Sequence, residues 1–298
     1  MAIAALRTDD ARFRALPDWP YAPHGIETLP GREGLRLVYV DEGPRDASTT
    51  FLCLHGQPSW SYLYRRMIPV FLSSGARVVA PDLFGFGRSD KPVDEAVYTF
   101  DFHRETLIRF VEALDLNNIT LVVQDWGGIL GLTLPLAFPH RIARLIVMNT
   151  TLAVGAEPSE GVMAWRAYVA RTPDLPAGAL MKRSTPHLTE AEMAAYDAPF
   201  PDATYKAGVR RFPQLVPIAQ DDPGAAISRE AATWWKTDFR GRSFMAIGMM
   251  DPVLGPPVMH ALRRTIAGCP EPMVIPDGGH FVQEWGDPIA KAALAAFA

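Results

Sequence analysis

The sequence predicts an α/β fold in which a mostly parallel central sheet is flanked by helices, with an all-helical domain inserted late in the chain. Short apolar runs alternate with stretches of helical periodicity through residue 150. Residues 151–230 show helical segments broken by prolines and no strand pattern, and strand patterns return after residue 242. We therefore predict a core domain of residues 1–150 and 231–298 and a helical cap domain of residues 151–230.

The strand and helix patterns alternate in the first half of the chain. Strand patterns occupy residues 35–40, 50–54, 77–80, 119–123 and 144–148. Helical patterns occupy residues 64–71 and 102–114. Several strand patterns are continuously apolar, which is typical of parallel strands buried on both faces. Three more helical patterns, at residues 163–170, 189–196 and 204–211, form the predicted cap. Strand patterns at residues 243–248 and 271–276 and a helical pattern at residues 287–297 complete the core.

Composition excludes several classes of protein. Lys and Arg number 29 against 33 Asp and Glu, a net charge of −4 without a basic tract, so we expect no nucleic-acid or membrane partner. The two cysteines form neither a disulfide framework nor a metal pattern, and we expect no metal and no cofactor. No apolar stretch is long enough to span a bilayer. Arg7, Asp9, Asp10 and Arg12 lie where a signal peptide would need its apolar core, and we expect a cytoplasmic protein.

One strand pattern ends in a distinctive turn. The apolar run 119–123 is followed by Gln124 and Asp125, and then by small and apolar residues at helical spacing. A residue in a tight strand-to-helix turn beside small neighbours is typical of a nucleophile elbow, with Asp125 in place of the usual serine. Gly127 and Gly128 supply the small neighbours on one side, while Val123 replaces the usual glycine on the other. The alternative is an ordinary turn in which Asp125 caps the helix.

Polar residues follow the predicted strands. They are His55, Asp125, Asn149, Asp251 and His280. Ligands of open parallel sheets bind at the carboxyl ends of the strands, so these side chains are expected to converge. Asp125, Asp251 and His280 follow the order nucleophile, acid, histidine of the α/β-hydrolases. Taken separately, Asp251 could be a turn residue and His280 a solvated loop histidine, and we interpret His55 as structural.

Four motifs together resemble those of the haloalkane dehalogenases. They are Asp125-Trp126-Gly127-Gly128, His55-Gly56-Gln57-Pro58, the glycine-rich loop 82–89 and Gly279-His280-Phe281. The similarity extends from about residue 18 to the C-terminus, and the cap resembles the branch that hydrolyses dichloroethane. The resemblance implies an α/β-hydrolase fold and hydrolysis of short haloalkanes to alcohol, halide and proton. It implies a small apolar halogenated substrate, with water as co-substrate, and a monomer.

The chemistry of carbon–halogen cleavage suits these residues. A carboxylate attacks a saturated carbon directly, so Asp125 would form an alkyl ester. His280 would then activate water as a general base, and Asp251 would orient the imidazole. The backbone N–H of Trp126 would stabilise the oxyanion, and the resemblance implies that of Gln57 as its second donor.

Halide binding and the substrate pocket complete the prediction. Indole N–H groups donate without accepting, so Trp126 and Trp165 are the predicted halide ligands, with Trp234 and Trp235 as rivals for Trp165. The resemblance places Trp165 at the position of the cap tryptophan. The predicted pocket residues are Val162, Ile129, Val253 and Leu254. At positions 162 and 129 this chain departs from the aromatic residues of the dichloroethane branch.

Other functions remain open from the sequence. Epoxide hydrolases share the Asp nucleophile and use two cap tyrosines, for which Tyr168, Tyr196 and Tyr205 are candidates. Gln124 before the nucleophile and a tryptophan at position 165 favour the dehalogenase. Fluoroacetate dehalogenases need arginines beside the nucleophile to bind the substrate carboxylate, and this chain has Trp126 there instead. A non-catalytic receptor would have no reason to keep the three catalytic residue types together.

Overall fold

The structure, a computed structural model, describes residues 3–298 and contains ten strands and ten α-helices. The strands are β1 (Ala5–Leu6), β2 (His24–Ile26), β3 (Leu37–Glu42), β4 (Thr50–Leu54), β5 (Arg77–Pro81), β6 (Lys91–Pro92), β7 (Ile119–Val123), β8 (Ile142–Met148), β9 (Arg242–Gly248) and β10 (Met273–Ile275). The helices are α1 (Ile68–Ser73), α2 (Phe100–Ala113), α3 (Asp125–Gly131), α4 (Glu160–Arg171), α5 (Ala177–Ser184), α6 (Glu190–Asp197), α7 (Ala207–Leu215), α8 (Ala225–Thr237), α9 (Pro256–Thr265) and α10 (Gly286–Phe297).

The main sheet has eight strands in the order β10-β9-β8-β7-β4-β5-β3-β2. The pairs from β10 to β5 are parallel, whereas β3 pairs antiparallel with both β5 and β2. The central strands β4 and β7 are buried along their whole length. Their carboxyl ends therefore meet at one edge of the sheet, as the sequence predicts for this α/β-hydrolase-like architecture.

Two hydrophobic clusters cover the two faces of the sheet. Alternate residues of β4 point to opposite clusters, with Leu52 in one and Phe51 in the other, as the two-residue period of a strand requires. Side chains of α2, α3, α8 and α9 complete the first cluster. Side chains of α1 and α10, together with Met181 and Tyr196 from the cap region, complete the second.

The chain between β8 and β9 is helical, and the structure describes all of it. Helices α4 to α8 lie in this segment without a strand. The predicted domain boundary at residues 230 and 231 falls inside α8, and the Trp235 indole of that helix donates to the carbonyl oxygen of Leu132 in the core. The division into core and cap domains stays a prediction, with α8 on the core side by its packing.

A buried group of charges joins the cap region to the core. We call Arg65, Arg66, Glu192, Tyr196 and Glu284 the cap-anchor cluster. Arg65 binds Glu284 with two hydrogen bonds of 2.6 and 2.7 Å and Glu192 with one of 2.7 Å. Since Glu192 belongs to α6 and Glu284 follows the loop that carries residue 280, the cluster connects three separate parts of the chain.

The long strands agree with the sequence patterns, whereas the shortest strands and several helices were missed. The pattern at 35–40 forms β3 two residues later, and the short strands β1, β2 and β6 have no pattern of their own. Helices α5, α8 and α9 were not predicted as such, because proline and glycine interrupt or border their periodicity.

None of the helices described is long and apolar enough to cross a membrane.

Candidate active site

Asp125 occupies a strained turn between β7 and α3. Its φ is +48°, in the left-handed region that asparagine and aspartate tolerate better than other side chains. Its backbone is held on both sides, because its N–H donates to the carbonyl oxygen of Asn149 at 3.0 Å and its carbonyl accepts from the Thr150 hydroxyl at 2.7 Å. The strain, of about 1–3 kcal/mol, projects the carboxylate beyond the sheet edge.

The two glycines after the turn are required by close packing. A β-carbon on Gly127 would lie 1.9 Å from the carbonyl oxygen of Leu54, and one on Gly128 would lie 2.1 Å from the hydroxyl oxygen of Thr150. Both distances are far shorter than atomic contact allows, so the start of α3 can approach β4 and β8 only with glycine here. These contacts are those expected of a nucleophile elbow.

Asp125, His280 and Asp251 form a connected chain of side chains. Nδ1 of His280 lies 2.7 Å from Oδ2 of Asp251, and Nε2 lies 3.4 Å from Oδ2 of Asp125. The three residues follow β7, β10 and β9, so the strand ends bring them together. The predicted catalytic residues thus meet at one place.

The Asp251 carboxylate is fully buried but well supported. Its Oδ1 accepts from the backbone N–H groups of Val253 and Leu254 at 2.9 and 3.1 Å. Its Oδ2 accepts from the Asn149 side chain at 3.0 Å. Burial would raise the pKa of Asp251, but the charge of His280 and these hydrogen bonds outweigh burial and lower the pKa to about 2. Asp251 is therefore ionised at neutral pH.

His280 lies between two carboxylates. Burial would lower its pKa, yet the charge of Asp251, its hydrogen bond to Nδ1 and the nearby Asp125 carboxylate raise the pKa to about 10. The imidazole is then protonated while both carboxylates carry their charges. The Ser184 hydroxyl of α5 accepts the backbone N–H of His280 at 2.8 Å, so the cap region also fixes this loop.

The loop after β4 faces the nucleophile. The backbone N–H of Gln57 donates to Oδ1 of Asp125 at 2.8 Å. Trp126 is the second residue of α3, where a backbone N–H has no acceptor within the helix. Of the two donors predicted for the oxyanion, the Gln57 N–H therefore lies at the Asp125 carboxylate, and the Trp126 N–H has no acceptor within its helix.

His55 is held inside the same loop. Its Nε2 accepts from the backbone N–H of Leu83 at 2.9 Å, and its Nδ1 lies 2.9 Å from the carbonyl oxygen of Gly56. Complete burial lowers the pKa of His55, which keeps the imidazole neutral. These contacts support the structural interpretation of this histidine.

A cavity of about 740 Å³ opens in front of the catalytic residues. Its lining is Gln57, Asp125, Trp165, Leu180, Arg183, Ser184, Pro186, Met250, Asp251, Pro252, Val253, Pro276, Asp277, Gly279, His280 and Phe281. Of the predicted pocket residues, Val253 belongs to this lining. The other three predicted pocket residues do not belong to the lining, since Ile129 and Leu254 are buried and Val162 is half-buried on α4 without facing the cavity.

The two predicted halide ligands differ in position. Trp165 lines the cavity, whereas Trp126 is 3% exposed, lies outside that lining and packs edge-on against Phe212. Among the described residues neither indole nitrogen has a hydrogen-bond acceptor. The rival Trp235 is fully buried and uses its N–H on the core, and Trp234 packs edge-on against it. Trp165 therefore keeps its place as the cap candidate.

The candidate tyrosines do not form an epoxide site. The buried Tyr196 hydroxyl donates to Glu284 in the cap-anchor cluster. Tyr168 stacks on Trp165, and Tyr205 packs against the core. None of the three belongs to the cavity lining described above.

Sequence reasoning missed the part of the lining contributed by α5. Leu180, Ser184 and Pro186 face the cavity although none carries a motif. It also gave Asn149 no role beyond that of a polar residue after a strand, whereas Asn149 binds Asp251 directly. Its position after a strand, next to those of Asp125 and Asp251, was the available signal.

The fold and this site together define an α/β-hydrolase, and a family model described as the alpha/beta hydrolase fold matches residues 49–287. More specifically, the chain belongs to the haloalkane dehalogenases, hydrolases that act on carbon–halide bonds. It is 43% identical over 293 residues to a haloalkane dehalogenase of Psychrobacter cryohalolentis, covering 96% of this chain and 95% of the relative. It is 45% identical over 283 residues to haloalkane dehalogenase 1 of Mycobacterium tuberculosis, covering 94% and 93%.

A solved structure is similar over the whole chain. The tetrameric structure of haloalkane dehalogenase DpaA from Paraglaciecola agarilytica NO2 superposes with a TM-score of 0.98 at 52% identity, covering 99% of each chain. The similarity includes the region between β8 and β9, so it extends to the helices that roof the cavity. The predicted family and fold are confirmed, and the epoxide hydrolase alternative is not favoured.

Proposed function

We propose that Asp125 displaces halide from a short haloalkane to form an alkyl ester, which water activated by His280 then hydrolyses. The observation that carries this proposal is the arrangement of three side chains at the wall of a cavity, with His280 hydrogen-bonded to Asp251 at 2.7 Å and its other ring nitrogen 3.4 Å from the Asp125 carboxylate. The carbon–halogen electron pair leaves with the halide as an Asp125 oxygen bonds to carbon. Asp125 itself needs no proton removed before it attacks.

The second step uses the histidine. Water attacks the ester carbonyl while Nε2 of His280 accepts its proton, and Asp251 stabilises the imidazolium that forms. The N–H groups of Gln57 and Trp126 stabilise the oxyanion. When the intermediate collapses, the departing alkoxide takes the proton from the imidazolium and Asp125 is left as a carboxylic acid. This acid ionises to regenerate the nucleophile, so the products are alcohol, halide and one released proton.

The halide is proposed to rest between Trp126 and Trp165. Trp126 adjoins the nucleophile in sequence, and Trp165 lines the cavity that contains Asp125. Both indole N–H groups lack a protein acceptor among the described residues, so a halide would satisfy them. A titration with bromide tests this through tryptophan fluorescence. We expect bromide to quench the fluorescence saturably, and we expect Trp165→Phe to weaken the apparent affinity for bromide at least about fivefold. An unchanged affinity would contradict the assignment.

A trapped intermediate tests the catalytic roles directly. His280→Gln should still attack a bromoalkane but hydrolyse the ester very slowly, because the general base is missing. Intact-mass spectrometry should then show the protein increased by one alkyl group. His187→Gln, an exposed histidine in the cap region, is the matched control and should turn over normally. An unmodified mass in His280→Gln would overturn the roles of Asp125 and His280.

Substrate preference is a finer proposal. We propose short chloro- and bromoalkanes, in keeping with the resemblance to the dichloroethane branch. A panel of short haloalkanes and epoxides, with halide release and diol formation measured in parallel, tests the preference. Diol formation faster than halide release would overturn it.

Assembly and location are likewise proposals. The sequence led us to expect a cytoplasmic monomer, whereas the relative from Paraglaciecola is described as tetrameric. Analytical ultracentrifugation distinguishes one chain from four, and cell fractionation tests the location.

A further inference from the structure

Gln124 contacts His280 although none of the catalytic steps above uses it. It precedes Asp125 and is fully buried. Its Nε2 lies 3.0 Å from Nε2 of His280 and 3.0 Å from the carbonyl oxygen of the same residue. Its Oε1 has no hydrogen-bond partner among the described residues. One amide group therefore touches both the backbone and the reactive nitrogen of the general base.

The backbone contact fixes the orientation of this amide. A carbonyl oxygen only accepts, so the atom of Gln124 that faces the carbonyl of His280 must be the NH₂ group. The reversed amide would place two oxygens against each other. The second hydrogen of the same NH₂ group then points to Nε2 of His280, and a nitrogen that accepts this hydrogen must be unprotonated.

Two neighbours of His280 therefore favour opposite protonation states of its Nε2. The Asp125 carboxylate, 3.4 Å from Nε2, favours a proton there, whereas Gln124 favours a lone pair. Asp251 is hydrogen-bonded to the other ring nitrogen, Nδ1, and it favours a proton on Nδ1 in both the neutral and the protonated imidazole. The remaining charged side chains of the cavity, Arg183 and Asp277, are both exposed and do not bind the ring.

We propose that Gln124 is a positioning residue whose amide favours the neutral, Nδ1-protonated imidazole of His280 once Asp125 has been alkylated. This inference rests on the ester mechanism proposed above. Alkylation removes the Asp125 charge, and the Nε2 proton of the imidazolium passes to solvent through the cavity. The Gln124 amide then donates to the vacated lone pair until a water molecule replaces it. The imidazole of His280 thus becomes able to act as a general base once the ester has formed.

The pH dependence of ester hydrolysis tests this role. Gln124→Met keeps the length of the side chain and removes the donor, so the acid limb of hydrolysis should move up by about one pH unit, as expected for the loss of one hydrogen bond to the neutral form. Gln124→Glu replaces the donor by a charge that favours the imidazolium, so the acid limb should move further and the ester should accumulate at pH 7. Rapid quenching with intact-mass detection measures ester formation and breakdown separately.

The outcomes separate this role from a structural one. Ester formation should change less than about threefold in Gln124→Met, because the attack of Asp125 does not use the lone pair. If both steps slow equally at every pH and the acid limb stays in place, Gln124 is only structural and the inference fails. If no ester forms in the unsubstituted enzyme, the proposed function fails instead.

A measurement without turnover supplies a second test. Asp125→Asn removes the same charge that alkylation removes and keeps a side chain suited to the left-handed turn. Histidine-selective ¹⁵N NMR should show the pKa of His280 lowered in this variant. Adding Gln124→Met to it should raise that pKa again by about one unit. An unchanged titration in the double variant would overturn the inference.

Discussion

The candidate active site and the cap-anchor cluster differ in how their buried charges are balanced. Both bring charged side chains into a poorly hydrated part of the protein. In the cap-anchor cluster two arginines face two glutamates, and Arg66 adds bonds of 2.6 and 3.1 Å to those of Arg65. At the catalytic site a single imidazole faces two carboxylates.

The difference determines which group can change its charge. Arginine stays protonated at any ordinary pH, and contacts from Thr189 and Arg65 overcome burial to lower the pKa of Glu192 to about 2. The anchor therefore keeps its charges and joins the cap region to the core. At the candidate active site, the proposed alkylation of Asp125 would remove one of the two carboxylate charges and so alter the proton affinity of His280. The balanced charges of the cap-anchor cluster thus stabilise the fold, whereas the two carboxylates beside the single imidazole make the protonation state of His280 depend on the charge of Asp125.

Removing the nucleophile is the strongest way to test the catalytic half of this comparison. Asp125→Asn should lower turnover at least about 10⁴-fold, since no ester can form, while the fold remains intact. Halide release measures the loss, with the intact mass used to verify the substitution. Asp221→Asn removes an exposed carboxylate outside the cavity lining and should keep nearly full activity. Comparable losses in both variants would contradict the role of Asp125.

Removing the acid should affect the second step more than the first. Asp251→Asn should slow ester hydrolysis by about 10³–10⁴-fold, because the imidazolium loses its stabilising charge. Ester formation should change much less, since Asp125 attacks without His280. Quenched-flow mass spectrometry should therefore show accumulated alkyl-enzyme. An equal loss in both steps would indicate collapse of the site instead.

Breaking the anchor should affect stability. Arg65→Met leaves Glu192 and Glu284 buried without their main partner, and it should lower the free energy of unfolding by about 3–5 kcal/mol. Denaturant unfolding measures this change. Arg66→Met, at a side chain that is 31% exposed, should cost about 1 kcal/mol or less. Equal costs would show that the anchor does not depend on the buried guanidinium.

Acid should weaken the catalytic cluster by a smaller amount. The pKa of Asp251 is lowered to about 2 in the folded protein, so its charge stabilises the fold above the unfolded-state pKa of about 4. That stabilisation, about 2 kcal/mol, is lost as the pH falls from about 4 to 2. Between pH 5 and 2 the native enzyme should lose about this much more unfolding free energy than Asp251→Asn. Parallel curves for the two proteins would contradict the lowered pKa.

The meeting of the three proposed catalytic residues could be predicted because each of them follows a strand. Asp125, Asp251 and His280 each follow an apolar run, and parallel strands deliver their carboxyl ends to one edge of a sheet. The elbow could be predicted because only small neighbours permit its close backbone approach. The cavity wall could not, since Leu180 and Ser184 reach it only after the cap region docks on the core.

By itself, the sequence determined the sheet-and-helix architecture, the tight turn at Asp125 and the convergence of Asp125, Asp251 and His280. These depend on local periodicity and on contacts between neighbouring elements, which residue types encode directly. Only the tertiary structure decided that Trp165 and α5 wall the cavity, that Tyr196 is held in the anchor, and that Gln124 and Asp125 compete for one nitrogen. These relations join residues far apart in the chain, and their distances depend on how the completed elements pack.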